Sequence, residues 1–493
     1  MVLVVTHQIS ERIHYVLHEI FTANHNIELE ILTSEDFLNL SLNEDIFKKV
    51  KGVFLYLNSE EGHSVTFETL KIKANSCFEN VPVISIYGEA LLWENRLNQR
   101  WSNPEMCWIE TPFLFNNGNT TQSALPVLFP NKNSDTQFDP FAAVFWILCR
   151  YEENLWFQSI ESELNSQSID LSHRFSQKNS HAFLNQYEVI PAVDWTRIYL
   201  IRLAGYTLNE EQSLRKRSFR ILPTADIDIH YKFGKRGWLR NLGSWLRSAV
   251  YPKLMIERFR AWVTGTDPFD ISYRTLSFLS KHPHSRLFLL HSNKQDLFHK
   301  QNQLKHPDVR KAIDRLFETM DIAQIGIHPS ISAITNQQQA NEWLAEKSNL
   351  ESGYGGTVQS SRFHYLYFHL PLHYQQIVAL GVHEEWSMGY HDGIGFRAGT
   401  SFPFRWFDLS LNKTQKLSIF PFQIMDVTCK NYLNLNPDIS IDKSNSIKQS
   451  IGFIGGDFTF VFHNESISES YPWNGWSKTI YEWAKPNTQK PNG

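Results

Sequence analysis

The sequence predicts an α/β protein whose C-terminal part is a parallel sheet or barrel wrapped by helices. Three observations predict this class. A chain of 493 residues is long enough for two or three domains of about 150 residues each. Apolar residues form 42% of the chain and charged residues 20%, which allows large cores. From Phe219 onward, strand-like runs alternate with helical patterns, as they do around parallel sheets.

Charge and aromatic content narrow the function classes. The 47 Lys and Arg residues are balanced by 51 Asp and Glu residues, and the formal net charge is −4. A broad basic face is therefore not expected, and we predict no nucleic-acid partner. Aromatic residues reach 14% of the chain. Core packing is the preferred interpretation of this excess, and stacking on sugar rings is the alternative.

Several features indicate the compartment. Met1–His7 lacks the basic region and long apolar run of a signal peptide. The longest apolar run, Phe141–Cys149, is far shorter than the about 18 residues of a membrane span. The four cysteines include no Cys-x-x-Cys pair, so neither a disulfide framework nor a zinc knuckle is expected. We therefore expect a cytoplasmic protein.

The first part of the chain reads as alternating strands and helices. Short β-branched or aromatic runs predict strands at Val2–Thr6, Val53–Leu57 and Val83–Tyr87. Apolar residues at helical spacing predict a helix over Ile9–Ala23. The polar stretch Asn116–Ser123 is predicted to be a loop.

Two more helices are predicted before the chain changes character. Asp139 is a good N-cap and Pro140 suits a first turn, so a buried helix is expected from Phe141 to about Asn154. A second helical run covers Asp194–Gly205. A basic connector follows, and we place a domain boundary near 208–217. This gives an N-terminal α/β domain of unknown function over 1–212, a C-terminal domain over 213–485 and a polar tail over 486–493.

The C-terminal domain alternates between the two element types. Its predicted strands are Phe219–Thr224, Arg286–His291, Ile322–Ile327, Ser361–Phe368 and Phe458–Phe462. Its predicted helices are Ile271–Lys281, Pro307–Met320, Gln337–Lys347 and Pro371–Leu380.

Residues 232–265 interrupt this alternation as a basic helical insertion. The segment Lys232–Arg260 carries eight basic residues around Trp238 and Trp245. Such a segment can cap the protein's own core, lie on an anionic membrane surface, or bind an anionic ligand or partner. The cap is the preferred interpretation, and peripheral contact with the inner membrane is the alternative.

Titratable residues follow three of the predicted strands. Asp226 and Asp228 come directly after the first strand, His328 after the third and His463 after the last. The carboxyl ends of parallel strands meet at one edge, where ligands bind. Alternate residues of an extended chain point to one side, so one carboxylate can hold a metal ion while the other takes a proton from water. The alternative is that Asp226 caps a helix and Asp228 is solvated.

The order of these motifs resembles the motif series of NodB-type polysaccharide deacetylases. The segments that carry the resemblance are Thr224–Asp228, Ile325–Pro329, Ser361–Tyr365 and Phe460–His463. The resemblance implies a deformed (β/α) barrel that removes N- or O-acetyl groups from sugars with a divalent metal ion. Asp139–Glu153 and Gly395–Phe404 are further similar to a bacterial subgroup in which an uncharacterised domain precedes the barrel.

The resemblance implies roles for individual residues. Asp226 matches the general base. Asp228 matches a metal ligand, with one residue between the pair as in some family members, and His328 matches a second ligand. The family's next histidine is replaced by Ser332, so the third ligand has to come from elsewhere.

We expect Asp228, His328 and His364 to bind the metal, with zinc as the expected ion. His230 and His291 are the other candidates for the third position. Catalytic zinc sites normally have three protein ligands, so this position decides how tightly the metal binds.

The remaining motifs supply the acid and the substrate contacts. Arg362 matches the arginine that orients the catalytic aspartate, and His463 matches the general acid. Arg397, Tyr231 and Trp386 are expected to bind substrate. The alternative for Arg397 is a buried arginine paired with an acid, and the alternative for the aromatic residues is core packing.

The predicted function is metal-dependent removal of an acetyl group from a glycan, or from a lipid- or nucleotide-linked sugar precursor. The main alternative is a degenerate barrel that binds glycan without turnover, which the replacement by Ser332 favours. A lyase or transferase acting on sugar chains and a membrane scaffold are weaker alternatives. The sequence makes no prediction of oligomeric state.

Overall fold

The computed structural model describes most of the chain. It describes residues 1–486 except 41–47, 59–65, 112–123, 165–169, 234–250, 271–273, 291–313, 317, 332–336 and 355. Several predicted features therefore lie outside the described residues. They are the loop Asn116–Ser123, His291, Ser332, most of the tail and the first half of the helix Pro307–Met320.

A four-stranded parallel sheet opens the chain, in the order β2-β1-β3-β4. Its strands are β1 Val2–Thr6, β2 Leu29–Thr33, β3 Gly52–Asn58 and β4 Val83–Gly88. All three strands predicted in this region are confirmed. Strands β1 and β3 are buried along their whole length, as expected for apolar runs covered on both faces of a parallel sheet.

Helices connect these strands. They are α1 Glu11–Leu17, α2 Ser34–Asn39 and α3 Phe67–Cys77. The helix predicted over Ile9–Ala23 is α1 followed by a π-helical turn, His18–Thr22. It begins after Ser10, whose hydroxyl oxygen accepts a hydrogen bond from the backbone N–H of Ile13 at 3.1 Å.

Asp139 caps the start of a helix, as predicted. A short antiparallel pair, β5 Met106–Glu110 and β6 Ala124–Leu128, precedes it. Helix α4 spans Pro140–Leu148, and an Asp139 carboxylate oxygen accepts hydrogen bonds from the first backbone N–H groups, at 3.0 Å each. Every residue of α4 is buried, because it lies inside the protein rather than at its surface.

The prediction that this helix continues to Asn154 is wrong. Helix α4 ends at Leu148, and α5 begins at Tyr151 and ends at Ile160. Arg150 between them adopts a left-handed conformation with φ of 50°, which interrupts the helix. Its guanidinium pairs with the buried Glu153 at 2.7 Å. A buried ion pair thus lies at the break between α4 and α5, which the spacing of apolar residues in the sequence does not reveal.

Glu153 is the centre of a buried charge network. Its carboxylate also accepts two hydrogen bonds from Arg397, at 2.9 and 2.7 Å. Replacing Glu153 with glutamine should lower the free energy of unfolding by about 3–5 kcal/mol, because the buried Arg397 would lose its counter-ion and Arg150 would keep only Glu152. Urea denaturation followed by tryptophan fluorescence measures this.

A matched control for that prediction is Asp438→Asn. Asp438 pairs with Lys478 at 3.3 Å, and both side chains are exposed. Exposed pairs contribute about 1 kcal/mol or less. Equal effects of the two substitutions would contradict a special role of the buried network.

Three further helices complete the first part of the chain. They are α6 His181–Leu184, α7 Ala192–Leu203 and α8 Leu208–Leu214. Helix α7 confirms the helical run predicted from Asp194, shifted by two residues. Thr207 caps the N-terminus of α8 and forms a reciprocal capping box with Glu210.

The second sheet has nine strands, in the order β12-β13-β11-β10-β9-β8-β7-β15-β14. They are β7 Arg220–Ile227, β8 Arg286–Leu289, β9 Ile325–Ile327, β10 Ser360–Ser361, β11 Glu384–Glu385, β12 Phe404–Asp408, β13 Lys413–Ile419, β14 Ile424–Met425 and β15 Asp457–His463. All its strand pairs are parallel except β12–β13. The parallel α/β class is confirmed.

The sheet differs from the prediction in two ways. Among the strands that the structure describes, β12 and β14 do not pair, so the predicted barrel is an open sheet. The chain between β13 and β14 donates backbone hydrogen bonds to Glu385 and Met388 instead of forming a strand ladder. The strand predicted over Ser361–Phe368 is two residues long, because Tyr365 and Leu366 adopt left-handed conformations in a 3₁₀ turn.

Helices flank this sheet. They are α9 Pro252–Thr264, α10 Arg274–Leu279, α11 Gln337–Tyr354, α12 Leu372–Ala379, α13 Pro437–Ile454 and α14 Trp476–Trp483. They include the predicted helices at 271–281, 337–347 and 371–380. None of the helices described is both long and apolar enough to cross a membrane.

The two parts of the chain share one apolar core. The core cluster that contains Val4 of the first sheet also contains Phe460 of the second. Arg12 donates a hydrogen bond to Asn412 at 2.8 Å, and Asp194 accepts one from the Ser401 hydroxyl at 2.8 Å. The boundary predicted near 208–217 coincides with α8, and the division of the chain at that point stays a prediction.

Candidate active site

The side chains predicted to carry out catalysis or to bind the metal lie at one edge of the nine-stranded sheet. Asp226 lies near the end of β7, His328 directly follows β9, Arg362 directly follows β10 and His463 ends β15. Asp226 and His463 are paired in register on adjacent parallel strands. Short parallel strands therefore bring together residues that are more than 200 positions apart in sequence.

Asp228, His328 and His364 form a cluster that could hold a metal ion. One ligand atom from each lies within 4.8 Å of the others. The His328 Nε2 atom is 3.2 Å from one Asp228 carboxylate oxygen, and the His364 Nε2 atom is 3.5 Å from the other. One carboxylate oxygen and two imidazole nitrogens form a ligand set that suits zinc and similar divalent ions.

Hydrogen bonding fixes the tautomer of His328 that a metal ion requires. Its Nδ1 atom lies 2.5 Å from the Arg362 carbonyl oxygen, which can only accept, so Nδ1 carries the proton. Nε2, which is directed toward Asp228, is therefore the nitrogen that carries the lone pair in the neutral tautomer that binds a metal. A backbone carbonyl behind the distal nitrogen is the usual arrangement around a metal-binding histidine.

The Asp228 carboxylate is held in its charged form. Burial by itself raises its pKa, but His364, His328 and His463 lower it, and the net pKa lies well below the ordinary value. A carboxylate that is ionised at all moderate pH values is the form that binds a cation.

Asp226 is held by a buried arginine. Arg362 donates one hydrogen bond to an Asp226 carboxylate oxygen at 2.7 Å and another to the Thr224 hydroxyl at 2.8 Å. Its third donor, Nε, reaches the carbonyl oxygen of Trp386 at 2.9 Å. The guanidinium also lies over the Phe288 ring, 4.4 Å from its centroid. These contacts fix the orientation of the Asp226 carboxylate.

His463 is held by an acid that the sequence analysis did not identify. Asp426, which follows β14, accepts hydrogen bonds from the His463 Nδ1 atom at 2.8 Å and from its backbone N–H at 2.7 Å. The His463 Nε2 atom lies 3.6 Å from an Asp228 oxygen. The sequence did contain a signal for Asp426, because this acid follows a short apolar run, as the other site residues at strand ends do.

These neighbours change the acidity of His463. Burial by itself lowers its pKa, but Asp426 and then Asp228 raise it, with a net value of about 10. His463 is therefore an imidazolium at neutral pH, and its Nε2–H is directed toward the Asp228 side of the site. A group in this state can donate a proton.

Replacing Asp426 with asparagine should lower the pKa of His463 from about 10 toward its ordinary value, because the largest stabilising charge is removed. NMR titration of the His463 ring signals in metal-free protein measures this. His391 also lines the pocket, and its ring titration should be unchanged. An unaltered His463 titration would show that Asp426 does not control this proton.

A pocket of about 390 Å³ opens above these groups. Its lining includes Asp226, Asp228, His328, His364 and His463, together with Arg174, Tyr365, His391, Tyr432, Glu465 and Trp473. Burial raises the pKa of Glu465, although the charge of His463 opposes the shift.

Arg174 comes from the first part of the chain. It donates hydrogen bonds to the Tyr365 carbonyl oxygen and to the Tyr432 hydroxyl, both at 3.0 Å. Tyr365 directly follows the candidate ligand His364, so residues of the first 212 positions contribute to the pocket wall. No sequence motif indicated Arg174.

The three residues predicted to bind substrate do not line the pocket. Arg397 is buried and bonded to Glu153, which corresponds to the alternative interpretation of a structural arginine. Trp386 is 1% exposed and stacks on Phe420 with 4.2 Å between ring centroids, so no face is available to a ligand. Tyr231 packs partly buried against the main core. Sequence spacing places a residue near a strand end but does not decide which way its side chain turns.

The alternative third ligands are placed elsewhere. His230 is buried but does not belong to the cluster of Asp228, His328 and His364. His291 and Ser332 lie outside the described residues. His364 therefore remains the candidate that the geometry supports.

Residues 2–204 match a family of unknown function (DUF7033). No curated protein matches the sequence.

Three solved structures are similar to this one at low identity. One is a candidate polysaccharide deacetylase from Mycobacterium smegmatis, with 11% identity and a TM-score of 0.36 over 54% of this chain and 82% of that one. Another is a 4-alpha-glucanotransferase from Thermococcus litoralis, with 13% identity and a TM-score of 0.32 over 56% and 38% of the two chains. The third is a GH57-type branching enzyme from Pyrococcus horikoshii, with 9% identity and a TM-score of 0.29 over 54% and 67%. All three similarities are weak.

Proposed function

We propose that this protein is a metal-dependent hydrolase that removes an N- or O-linked acetyl group from a glycan or glycan precursor. The observation that carries the proposal is the cluster of Asp228, His328 and His364 between two oriented pairs, Asp226–Arg362 and His463–Asp426. The order of these residues resembles the NodB-type motif series, which supplies the substrate class.

The residues present fit a divalent metal ion. Asp228 is ionised, and the His328 Nδ1 atom is bonded to a carbonyl group, which leaves Nε2 as the nitrogen that can bind the metal. His364 takes the third position that Ser332 leaves open. When bound, a divalent ion such as zinc supplies Lewis acidity and lowers the pKa of a coordinated water to about 7. A complete ligand set favours turnover over the alternative of glycan binding alone.

The protein's own groups supply the proton transfers. The Asp226 carboxylate, fixed by Arg362, accepts a proton from the attacking water as the water oxygen bonds to the acyl carbon. The bond from that carbon to the sugar nitrogen or oxygen then breaks. The leaving amine or alkoxide takes the Nε2 proton of His463, while Asp426 stabilises the ring. Acetate and the deacetylated sugar are the products.

Acetate release from an acetylated amino-sugar oligomer tests the function. The purified protein should release acetate, lose this activity after treatment with a chelator and regain it on addition of zinc. Activity that survives complete metal removal would contradict the proposal. Protein with less than about 0.1 metal ion per chain and no acetate release would instead indicate a glycan-binding protein.

A further inference from the structure

Helix α9 exposes its apolar side chains and turns its acidic residue inward. Ile256, Phe259 and Val263 are three and four positions apart and share one face, with exposures of 53%, 55% and 63%. Trp262 is 74% exposed, and its ring centroid lies 5.9 Å from that of Phe259. A helix on the surface of a water-soluble protein normally has the opposite arrangement.

Polar contacts fix this orientation. Glu257, the helix's single acidic residue, accepts hydrogen bonds from the Ser470 hydroxyl at 2.6 Å, the Tyr471 backbone N–H at 2.9 Å and the Lys232 ammonium at 2.9 Å. Arg258 is buried, 4.9 Å from the centroid of the Phe233 ring. Turning the helix to bury its apolar face would break all of these contacts.

The charges of the exposed face are positive. Lys253 and Arg260 are exposed and seven positions apart, so they lie on the same side and border the apolar residues. With Glu257 turned inward, this face of the described helix carries no negative charge. Apolar residues with tryptophan beside basic residues are typical of helices that lie in the interface of an anionic membrane.

The helix is attached beside the pocket. Tyr251, just before α9, stacks on Tyr471 with 6.2 Å between ring centroids. Trp473, two positions further along, lines the pocket and donates a hydrogen bond to Glu465, another lining residue. The segment that holds α9 is therefore continuous with the pocket wall.

We propose that α9 is an interfacial helix that seats this protein on an anionic membrane surface, with the pocket beside the bilayer. The proposal rests on the proposed function and deepens it, because the substrate is then a glycan precursor linked to a lipid. Two copies paired through this face would bring together four cations, Lys253 and Arg260 of each copy, with no acidic side chain of α9 on that face. An anionic lipid surface instead complements them.

Vesicle flotation of the full chain tests the membrane surface. The protein should float with vesicles of phosphatidylcholine and phosphatidylglycerol and bind about tenfold more weakly to phosphatidylcholine alone. The double variant Phe259→Ser/Trp262→Ser should bind anionic vesicles at least about tenfold more weakly, since two large apolar side chains no longer enter the bilayer.

A matched double variant controls for the loss of exposed apolar surface. Leu411 and Ile439 are also exposed but lie outside α9, so Leu411→Ser/Ile439→Ser should bind like the wild type. Absence of binding by the wild type, or unchanged binding by Phe259→Ser/Trp262→Ser, would overturn the proposal. So would a dimer in sedimentation that this variant converts to monomers, because the face would then be a contact between copies.

A comparison of two substrates tests the lipid-linked precursor. Acetate release should show a kcat/KM about tenfold higher for an acetylated glycan anchored to vesicle lipid than for the same glycan in solution. Phe259→Ser/Trp262→Ser should lose this preference and keep the rate on the soluble glycan. Equal kcat/KM values would overturn the lipid-linked substrate and leave the proposed function standing. No acetate from either form, despite vesicle binding, would overturn the proposed function.

Discussion

His364→Ala is expected to lose most of the bound metal and to lower the activity at least about 1000-fold. Its Nε2 atom lies with Asp228 and His328 in one cluster, and only two ligands would remain after the change. Two protein ligands hold a divalent ion weakly, and the Lewis acidity is lost with the ion. Metal analysis after dialysis should fall from about one ion per chain to less than about 0.1.

His230→Gln is the matched control for this experiment. His230 is a buried imidazole two positions from Asp228, but it is not part of the cluster. The control should keep its metal and its activity. If His230→Gln lost the metal and His364→Ala kept it, the ligand assignment would be wrong.

Asp226→Asn is expected to lower kcat by at least about 1000-fold while the metal content stays unchanged. Asparagine has nearly the same shape, and its carbonyl oxygen can still accept the hydrogen bond from Arg362. It cannot take a proton from water, so the general base is lost. Parallel measurement of acetate release and bound metal separates this role from that of a ligand.

The outcome for Asp226→Asn discriminates between three roles. Loss of activity with retained metal is the result expected for a base. Loss of both would identify Asp226 as a metal ligand. Full activity would show that another group activates the water, and the assignment of Asp226 would then be wrong.

The strand ends were the part of the site that sequence reasoning could reach. Asp226, Asp228, His328 and His463 each lie at or just after the end of a run that the sequence predicts to be a strand. Parallel strands have their carboxyl ends at one edge, so the convergence of these four residues follows from the fold class alone.

Interactions between distant segments could not be predicted in the same way. Arg397 and Trp386 were expected to contact the substrate. In the structure both are buried, with Arg397 bonded to Glu153 and Trp386 stacked on Phe420. Asp426 holds His463, and Arg174 reaches the pocket from the first part of the chain. Each of these contacts depends on side-chain directions that neither periodicity nor spacing specifies.

Arg174 and Glu153 have a consequence for how this protein can change over evolution. Arg174 forms part of the pocket wall, and Glu153 is the buried counter-ion of Arg397. A chain separated near residue 212 would lose one wall of the pocket and leave a buried cation unpaired. Gene fusion or recombination therefore cannot exchange one part without the other. A substitution at a contact between the parts, such as Glu153 with Arg397, limits which residues the other part can carry there.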